Sequence, residues 1–241
     1  MKMKRWLKTI FFIVLAVIAW NYPLKYRIGV NGVLFDKKIP AYAKLSGFLY
    51  RDWAYKDIVR DIIKDKKEDD VRKILDILRW VNENVNNPVP TNIKVMDDHP
   101  LNIIIRQYGT QDQVEDIFTI LCSYAGMDAG MSKCYSHDRT RRIILSFVRV
   151  KDEWLIFEAK SSKHFLNKKG GIGSVGDYLK GEMVLSGEDK AIYAEFLDDL
   201  KNINFSDFTR AEEQMPLKRF PAKFRKLFQK RRFDMNEEER D

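Results

Sequence analysis

The residues of this chain that could do chemistry concentrate at the start of one predicted helix. Residues 108–113, with the sequence YGTQDQ, end a loop and open an amphipathic helix, which is a common way to present a nucleophile. The segment holds no nucleophile, because a glutamine amide does not attack carbonyl groups at neutral pH. Its amides and its carboxylate can instead bind a ligand through hydrogen bonds. We therefore expect a binding role for Gln111, Asp112 and Gln113.

A second kind of chemistry would use carboxylates as an acid–base pair. Asp112 opens the predicted helix, Glu158 ends a predicted strand, and His137 or His164 could assist them. Paired carboxylates cleave glycosidic bonds when their separation suits the reaction. The sequence gives no separation, so this chemistry stays open as the alternative to binding.

The two cysteines are predicted to be inert, and no metal or cofactor is expected. Cys122 and Cys134 lack CxxC or cysteine–histidine metal spacing, and two thiols cannot form the disulfide framework of a small secreted fold. The acidic pair before His99 has no second cluster of ligands. Residues 171–176 match GxGxxG, but polar residues precede them where a dinucleotide site needs a buried strand.

Positive charge lies at the two ends of the chain and not in its body. The chain has 43 basic and 35 acidic residues, with a formal net charge of +8. Residues 1–8 and 216–233 hold 12 of the basic residues and none of the acidic ones. A surface that follows nucleic-acid phosphates needs clustered lysine and arginine on the folded domain. We therefore expect no nucleic-acid partner.

The N-terminal segment has the pattern of a membrane signal. Residues 1–8 are basic and residues 9–24 carry no charge; as a helix the uncharged run spans about 24 Å, against a hydrocarbon thickness of roughly 30 Å. Trp6, Trp20 and Tyr22 flank the run as interfacial anchors, which favours a retained signal anchor. The positive-inside rule then places the body on the outer side of a bacterial-type inner membrane. Cleavage as a signal peptide would instead release a secreted protein.

A second basic segment, near the C-terminus, is interleaved with aromatic residues. A short basic amphipathic helix of this kind binds acidic lipids or an acidic protein partner. A solvated tail is the alternative, because the chain ends in a run of charged residues. The predicted membrane-surface residues are Lys218, Arg219, Phe224, Arg225, Lys226 and Phe228.

The body is predicted to be α+β, with helices packed on a small antiparallel sheet. Apolar residues recur at helical spacing over residues 71–85 and 111–125, around Ile192 and Leu200, and more weakly from Trp53 onward. Strand patterns occupy residues 130–135, 143–150 and 154–158. We expect a membrane segment at 1–24, an extended lead-in at 25–52, the α+β domain at 53–203 and a basic tail at 204–241.

The order of these parts resembles the transglutaminase-like fold, a papain-related group of cysteine transferases and peptidases, over about residues 53–165. Members carry an Arg-Trp-hydrophobic segment in a helix, a Gly-x-Cys turn that opens a buried helix, and an Ala-Gly-hydrophobic exit from that helix. The corresponding segments are Arg79-Trp80-Val81, Gly109-Thr110-Gln111 and Ala125-Gly126-Met127. A tryptophan and a carboxylate four residues apart follow the histidine-bearing strand, here as Trp154 and Glu158.

The resemblance implies that most of the family's catalytic residues are missing. Family chemistry needs a thiolate, an imidazole and a carboxylate that orients the imidazole. The cysteine position falls on Gln111, the histidine position falls at or near Ile143, and only Glu158 keeps its chemical type. The ligand-binding candidates in the resulting cleft are Gln111, Asp112, Gln113, Glu158 and Trp154, the last as an apolar wall.

Two functional hypotheses follow from these residues. The first is a pseudoenzyme: a membrane-anchored, non-catalytic binding or scaffold module at the cell envelope, with a peptide, a glycan or an acidic protein as partner. The second is a membrane-tethered hydrolase or transferase that uses Asp112 and Glu158 with His137 or His164. The first is favoured because two of the three family roles are empty. A purely structural role would depend on the basic tail alone.

Overall fold

The fold is given by a computed structural model that describes residues 2–30, 33–64, 69–88, 90, 99–208 and 215. The helices of this part are α1 (Lys2–Asn21), α2 (Ala41–Ile62), α3 (Asp70–Val85), α4 (Pro100–Arg106), α5 (Gln111–Tyr124), α6 (Val175–Leu179) and α7 (Gly187–Leu197). The strands are β1 (Pro23–Val30), β2 (Val33–Pro40), β3 (Ala129–Tyr135), β4 (Arg142–Val150), β5 (Glu153–Glu158), β6 (Lys163–His164), β7 (Leu166–Asn167) and β8 (Met183–Val184). This mixture confirms the α+β prediction.

A long helix and a β-hairpin form the first part of the chain. β1 and β2 pair antiparallel, with Pro23 opposite Pro40 at the base of the hairpin. The base is closed by the backbone N–H of Ala41, which donates to the carbonyl oxygen of Tyr22 at 2.9 Å. No helix among the described residues has the length and hydropathy that a membrane crossing requires.

The lead-in predicted at residues 25–52 is extended only in its first half. The hairpin fits that prediction, but α2 starts at Ala41, twelve positions before the helical pattern expected from Trp53. The buried apolar residues of α2, which include Tyr55 and Val59, lie in its second half. Its first half has large apolar residues on the exposed side, which hides the one-sided spacing by which an amphipathic helix is recognised.

The main sheet of the described part has the strand order β3-β4-β5-β6 and is antiparallel throughout. The three strands predicted from sequence are confirmed, each beginning one residue earlier than expected and ending where expected. Lys151 and Asp152 join β4 to β5 in a tight turn, and Lys151 has a φ of 55°. Positive φ at the first turn residue matches the twist of the flanking strands. β7 and β8 pair separately.

Two apolar cores cover the two faces of the main sheet, because alternate residues of a strand point to opposite sides. The first core joins α2, α3 and α5 to one face, where Val148 and Phe157 are buried. The second core lies on the other face, where Phe147 and Ile156 meet α7. Helix α5 is buried over most of its length. Its first turn lies at the end of the sheet where β4 begins and β5 ends.

Candidate functional site

Helix α5 begins at Gln111, as the sequence predicts. The residue before it, Thr110, donates its backbone N–H to Oε1 of Gln113 at 3.1 Å, and Nη2 of Arg106 donates to the same oxygen at 2.9 Å. This is the arrangement in which a side chain in the first turn caps the start of a helix. The structure therefore places Gln113, a ligand-binding candidate by sequence, in a buried cap and not in a cleft.

The side chain of Gln111 reaches Glu158 directly. Its Nε2 donates to Oε1 of Glu158 at 3.1 Å and to the carbonyl oxygen of Ile144 at 3.5 Å. The other carboxylate oxygen of Glu158 accepts a hydrogen bond from the hydroxyl of Tyr193. Burial, together with this hydrogen bond, raises the pKa of Tyr193 above its usual range, so the hydroxyl stays protonated as a donor. Both oxygens of the buried Glu158 carboxylate are thus satisfied.

Ile143, the expected histidine position, does not face this group. Its side chain packs in the second core, and in the sheet register it lies opposite Cys134. The residue of β4 that meets Gln111 is Ile144, through its carbonyl oxygen. Both residues are apolar, so this point of β4 supplies no proton carrier.

A buried carboxyl group that the sequence did not single out lies one turn into α5. Glu115 accepts from the backbone N–H of Lys160 at 3.0 Å through Oε1, and from the hydroxyl of Ser146 through Oε2. Burial raises the pKa of Glu115 to about 7; the hydrogen bonds oppose this rise and the charge of Glu158 adds to it. The one sequence signal for Glu115 is its spacing from Gln111, since residues four apart share a helix face.

Lys160 connects the end of the sheet to the loop that precedes α5. Its Nζ donates to the carbonyl oxygen of Gly109 at 3.1 Å, while its own carbonyl oxygen accepts from Nδ2 of Asn86 at 2.6 Å. Burial lowers the pKa of Lys160. Together with the bond to Glu115, these contacts tie α3, the loop and α5 into one polar network.

Among the described residues, Asp112 and the two histidines form no hydrogen bond or ion pair with Glu158, although His164 lies opposite Phe157 in the strand paired with β5. Asp112 is exposed and accepts from the hydroxyl of Thr110 at 2.5 Å. Nε2 of the exposed His137 lies 3.1 Å from Oδ2 of Asp198. His164 is half-buried on β6. Within the described residues, neither imidazole forms a hydrogen bond with Glu158, so the acid–base assembly considered from sequence is not brought together.

Trp154, which the sequence predicted as an apolar wall of the cleft, is half-buried and packs against the second core. Its ring stacks on Phe205 with centroids 5.0 Å apart and an interplanar angle of 20°, and Phe208 contacts it edge-on at 5.5 Å. Trp154 and Glu158 point to the same side of β5, but four residues separate them by about 13 Å along a strand.

Both thiols are buried, which fits the inert character predicted from sequence. Cys122 lies in the first core and Cys134 in the second, and both are free. Burial raises the pKa of Cys134 to about 12, with a smaller contribution from the charge of Asp199, and raises that of Cys122 well above its usual value. Neither thiol is therefore present as a thiolate at neutral pH.

Other segments considered from sequence have structural roles or lie outside the described residues. His99 caps α4, accepting from the backbone N–H of Leu101 at 3.2 Å through Nδ1. The GxGxxG segment forms antiparallel bridges, Leu166 with Ile172 and Leu155 with Ser174, and then enters the short α6. The acidic pair before His99 and the basic residues between positions 218 and 228 lie outside the described part. In that part, no group of three or more His, Cys, Asp or Glu residues could hold a metal ion.

Comparison with known proteins gives no relative for this chain: no protein-family model, no curated protein and no solved structure matches it significantly.

Proposed function

We propose that this protein is a non-catalytic, membrane-anchored binding or scaffold module of the cell envelope, built on a degenerate transglutaminase-like core. The observation that carries the proposal is the hydrogen bond from Gln111 Nε2 to Glu158 Oε1, at 3.1 Å. In an acyl-transfer site an imidazole stands between the nucleophile and the carboxylate and moves the proton. In this protein the amide of Gln111 contacts the carboxylate directly, with no imidazole between them. An amide neither attacks a carbonyl nor shuttles a proton.

The surroundings of Glu158 support the loss of catalysis. One of its oxygens accepts from the Gln111 amide and the other from the Tyr193 hydroxyl, so neither oxygen orients an imidazole. Cys122 cannot replace the missing nucleophile, because it lies 11 residues along α5, about 16 Å from the helix start. A hydrolase that pairs Asp112 with Glu158 is less well supported, since the carboxylate of Asp112 bonds Thr110. Glu115 does not replace Asp112 in such a pair, because Glu115 is closed off from solvent.

The proposed ligand is a peptide or glycan of the envelope. The amide nitrogen of the half-buried Gln111 donates to Glu158 and Ile144, so Gln111 offers its amide oxygen to a ligand, and the exposed Asp112 offers a carboxylate at the start of α5. Such groups recognise the amides and hydroxyls of peptides and sugars. The polar network through Lys160 holds this edge in a fixed geometry, and a preorganised surface binds at a lower entropic cost.

The membrane part of the proposal rests on the uncharged run of residues 9–24 and its flanking aromatic residues. No described helix has the length and hydropathy of a regular membrane crossing, so we propose that residues 1–24, which include α1, act as a short signal anchor that leaves the body on the outer side of the membrane. Alkaline extraction of membranes tests the anchor, because an integral protein stays in the pellet. Protease treatment of spheroplasts tests the side, because an outer body is digested while the membrane is intact. Release by alkali, or protection from protease, would contradict this part.

The binding part is tested with the full chain reconstituted in nanodiscs and fluorescent peptidoglycan fragments as probes. Gln111→Ala removes the amide at the proposed site, and Leu179→Ala is the control, because Leu179 is exposed on a different helix. We expect at least about tenfold weaker binding for Gln111→Ala, the loss of one good hydrogen bond to a ligand, and no change for the control. Incorporation of an amine into a glutamine-containing peptide, abolished by Glu158→Gln, would show catalysis and overturn the proposal.

A further inference from the structure

Helix α2 carries a stripe of large apolar residues on the side that faces away from the body. Tyr42, Leu45, Leu49 and Trp53 recur every three or four residues, and each is between 41% and 58% exposed. They span about 16 Å of helix. The opposite side of α2 packs in the first core, for example through Tyr55. Single exposed apolar residues are ordinary, but a continuous line of them marks an interaction surface. We call these four residues the α2 stripe.

The α2 stripe begins where α1 ends. The ring of Trp20 stacks on that of Tyr42, with centroids 6.4 Å apart and an interplanar angle of 18°. The hydrogen bond from Ala41 to Tyr22 fixes the start of α2 beside the end of α1. Helix α1 exposes its own large apolar residues up to Trp20. The apolar surface of α1 therefore continues onto α2.

The segment that bears the α2 stripe is basic, in contrast to the rest of the folded body. Residues 23–62 contain eight basic and four acidic residues, whereas residues 99–208 contain 14 basic and 16 acidic ones. Lys37 and Lys38 of β2 are exposed, and Arg60, which is ion-paired with Asp57, continues the line of the stripe beyond Trp53. An apolar helix face with aromatic members and basic surroundings is typical of a helix that lies in the interface of an anionic bilayer.

We propose that the α2 stripe docks into the headgroup region of the bilayer, with anionic phospholipid as its occupant. The inference rests on the proposed anchor, because α1 must hold the same bilayer. Trp20 and Tyr42 then lie at headgroup depth, where aromatic side chains concentrate. Leu45 and Leu49 reach the acyl boundary. The body is held by two helices instead of one, and α2 passes its orientation to α5 through the hydrogen bond from Tyr124 to Asp52.

The test uses single introduced cysteines, labelled with an environment-sensitive fluorophore, in the full chain at one copy per nanodisc containing phosphatidylglycerol. Because Cys122 and Cys134 are buried, they do not compete for the label. Leu49→Cys reports on the α2 stripe and Ile13→Cys reports on α1. Leu179→Cys is the matched control, since Leu179 is likewise a helical leucine with an exposed side chain.

We expect the labels at Leu49 and Ile13 to be quenched by spin-labelled lipid and to be about fivefold or more less accessible to aqueous iodide than the label at Leu179. A lipid-embedded Ile13 label beside a Leu49 label as accessible as the control overturns the inference and leaves the anchor intact. An Ile13 label open to iodide overturns the anchor and the inference with it. Protection of Leu49 only in discs that hold two copies assigns the α2 stripe to self-association and overturns the lipid assignment.

Discussion

The amide of Gln111 and the carboxylate of Glu158 are 47 residues apart in the sequence, and their bonded atoms lie 3.1 Å apart in space. Tyr193 bonds the same carboxylate from α7. The first turn of α5, the end of β5 and helix α7 are therefore joined at one buried acidic group. Groups that share a buried partner contribute to stability as a unit, because the loss of one leaves the others incompletely satisfied.

The first prediction concerns this unit. Gln111→Ala and Tyr193→Phe should each lower the free energy of unfolding by about 1–2 kcal/mol, the cost of removing a hydrogen bond from a buried charged group. The double variant should depart from the sum of the two by about 0.5 kcal/mol or more. Denaturant titration of the full chain in detergent measures all four corners of the cycle. Tyr178→Phe is the control, because its partner Asp198 is exposed; strict additivity at Glu158 would contradict the shared role.

The second prediction concerns pH. The carboxyl of Glu115 has a pKa of about 7 in the folded protein and about 4.3 in an unfolded chain. Between these values the folded state binds more protons, so the free energy of unfolding falls as pH rises, by roughly 4 kcal/mol in all. Glu115→Gln cannot ionise and should lose this component. Denaturant titrations at about pH 5 and about pH 7.5 compare the wild type with Glu115→Gln. Glu188→Gln is the control, because Glu188 is exposed. An equal pH dependence of the free energy of unfolding in wild type and Glu115→Gln would refute the prediction.

The third prediction separates packing from ligand binding at Trp154. Trp154→Ala should lower the free energy of unfolding by about 3 kcal/mol, because its stack on Phe205 is lost. Binding of peptidoglycan fragments by the folded protein should stay unchanged. Leu179→Ala is the control, since Leu179 is exposed and its loss should barely alter stability. A loss of ligand affinity in Trp154→Ala without a loss of stability would restore the sequence-based role as a wall of the cleft.

The fourth prediction concerns the thiols. Cys122 and Cys134 should not react with a thiol probe in the folded protein at about pH 7.5, because burial keeps both protonated and out of contact with the reagent. Both should react once the chain is unfolded in concentrated denaturant. Leu179→Cys supplies an exposed thiol that shows the probe to be active. Mass spectrometry before and after unfolding counts the modified sites, and rapid labelling of either native cysteine would contradict the inert assignment.

The elements that sequence predicted well are those with one apolar side and clear ends. Helix α5 begins at the predicted Gln111 and is followed by Gly126 with a φ of 97°, the left-handed conformation that glycine adopts after a helix. The start of α2 could not be predicted, because its first half is apolar on the exposed side as well. The apolar residues of that side would be recognised as one face of a helix only if the surface that covers them were known, and the sequence of one chain does not contain that surface.

The candidate site was predicted in part. The meeting of Gln111 with Glu158 agrees with the order of parts seen in the sequence, but Glu115 was missed because its partners Ser146 and Lys160 lie 31 and 45 residues away. Trp154, named from sequence as an apolar wall, shares a side of β5 with Glu158 but packs on Phe205 at the other end of the strand. Spacing along a strand fixes the side of the sheet to which a side chain points. It does not fix which later segment packs on that side, and for Trp154 this segment contains Phe205.

The hydrogen bond between Ala41 and Tyr22 also has a consequence for how the chain can vary. Strands β1 and β2 follow the end of α1 as an antiparallel hairpin, and α2 starts beside the end of α1. The eighteen residues of this hairpin can therefore be lengthened, shortened or replaced by a brief connector while the two helices keep their mutual placement. We expect a reporter domain inserted between β1 and β2 to leave the placement of α1 and α2 unchanged.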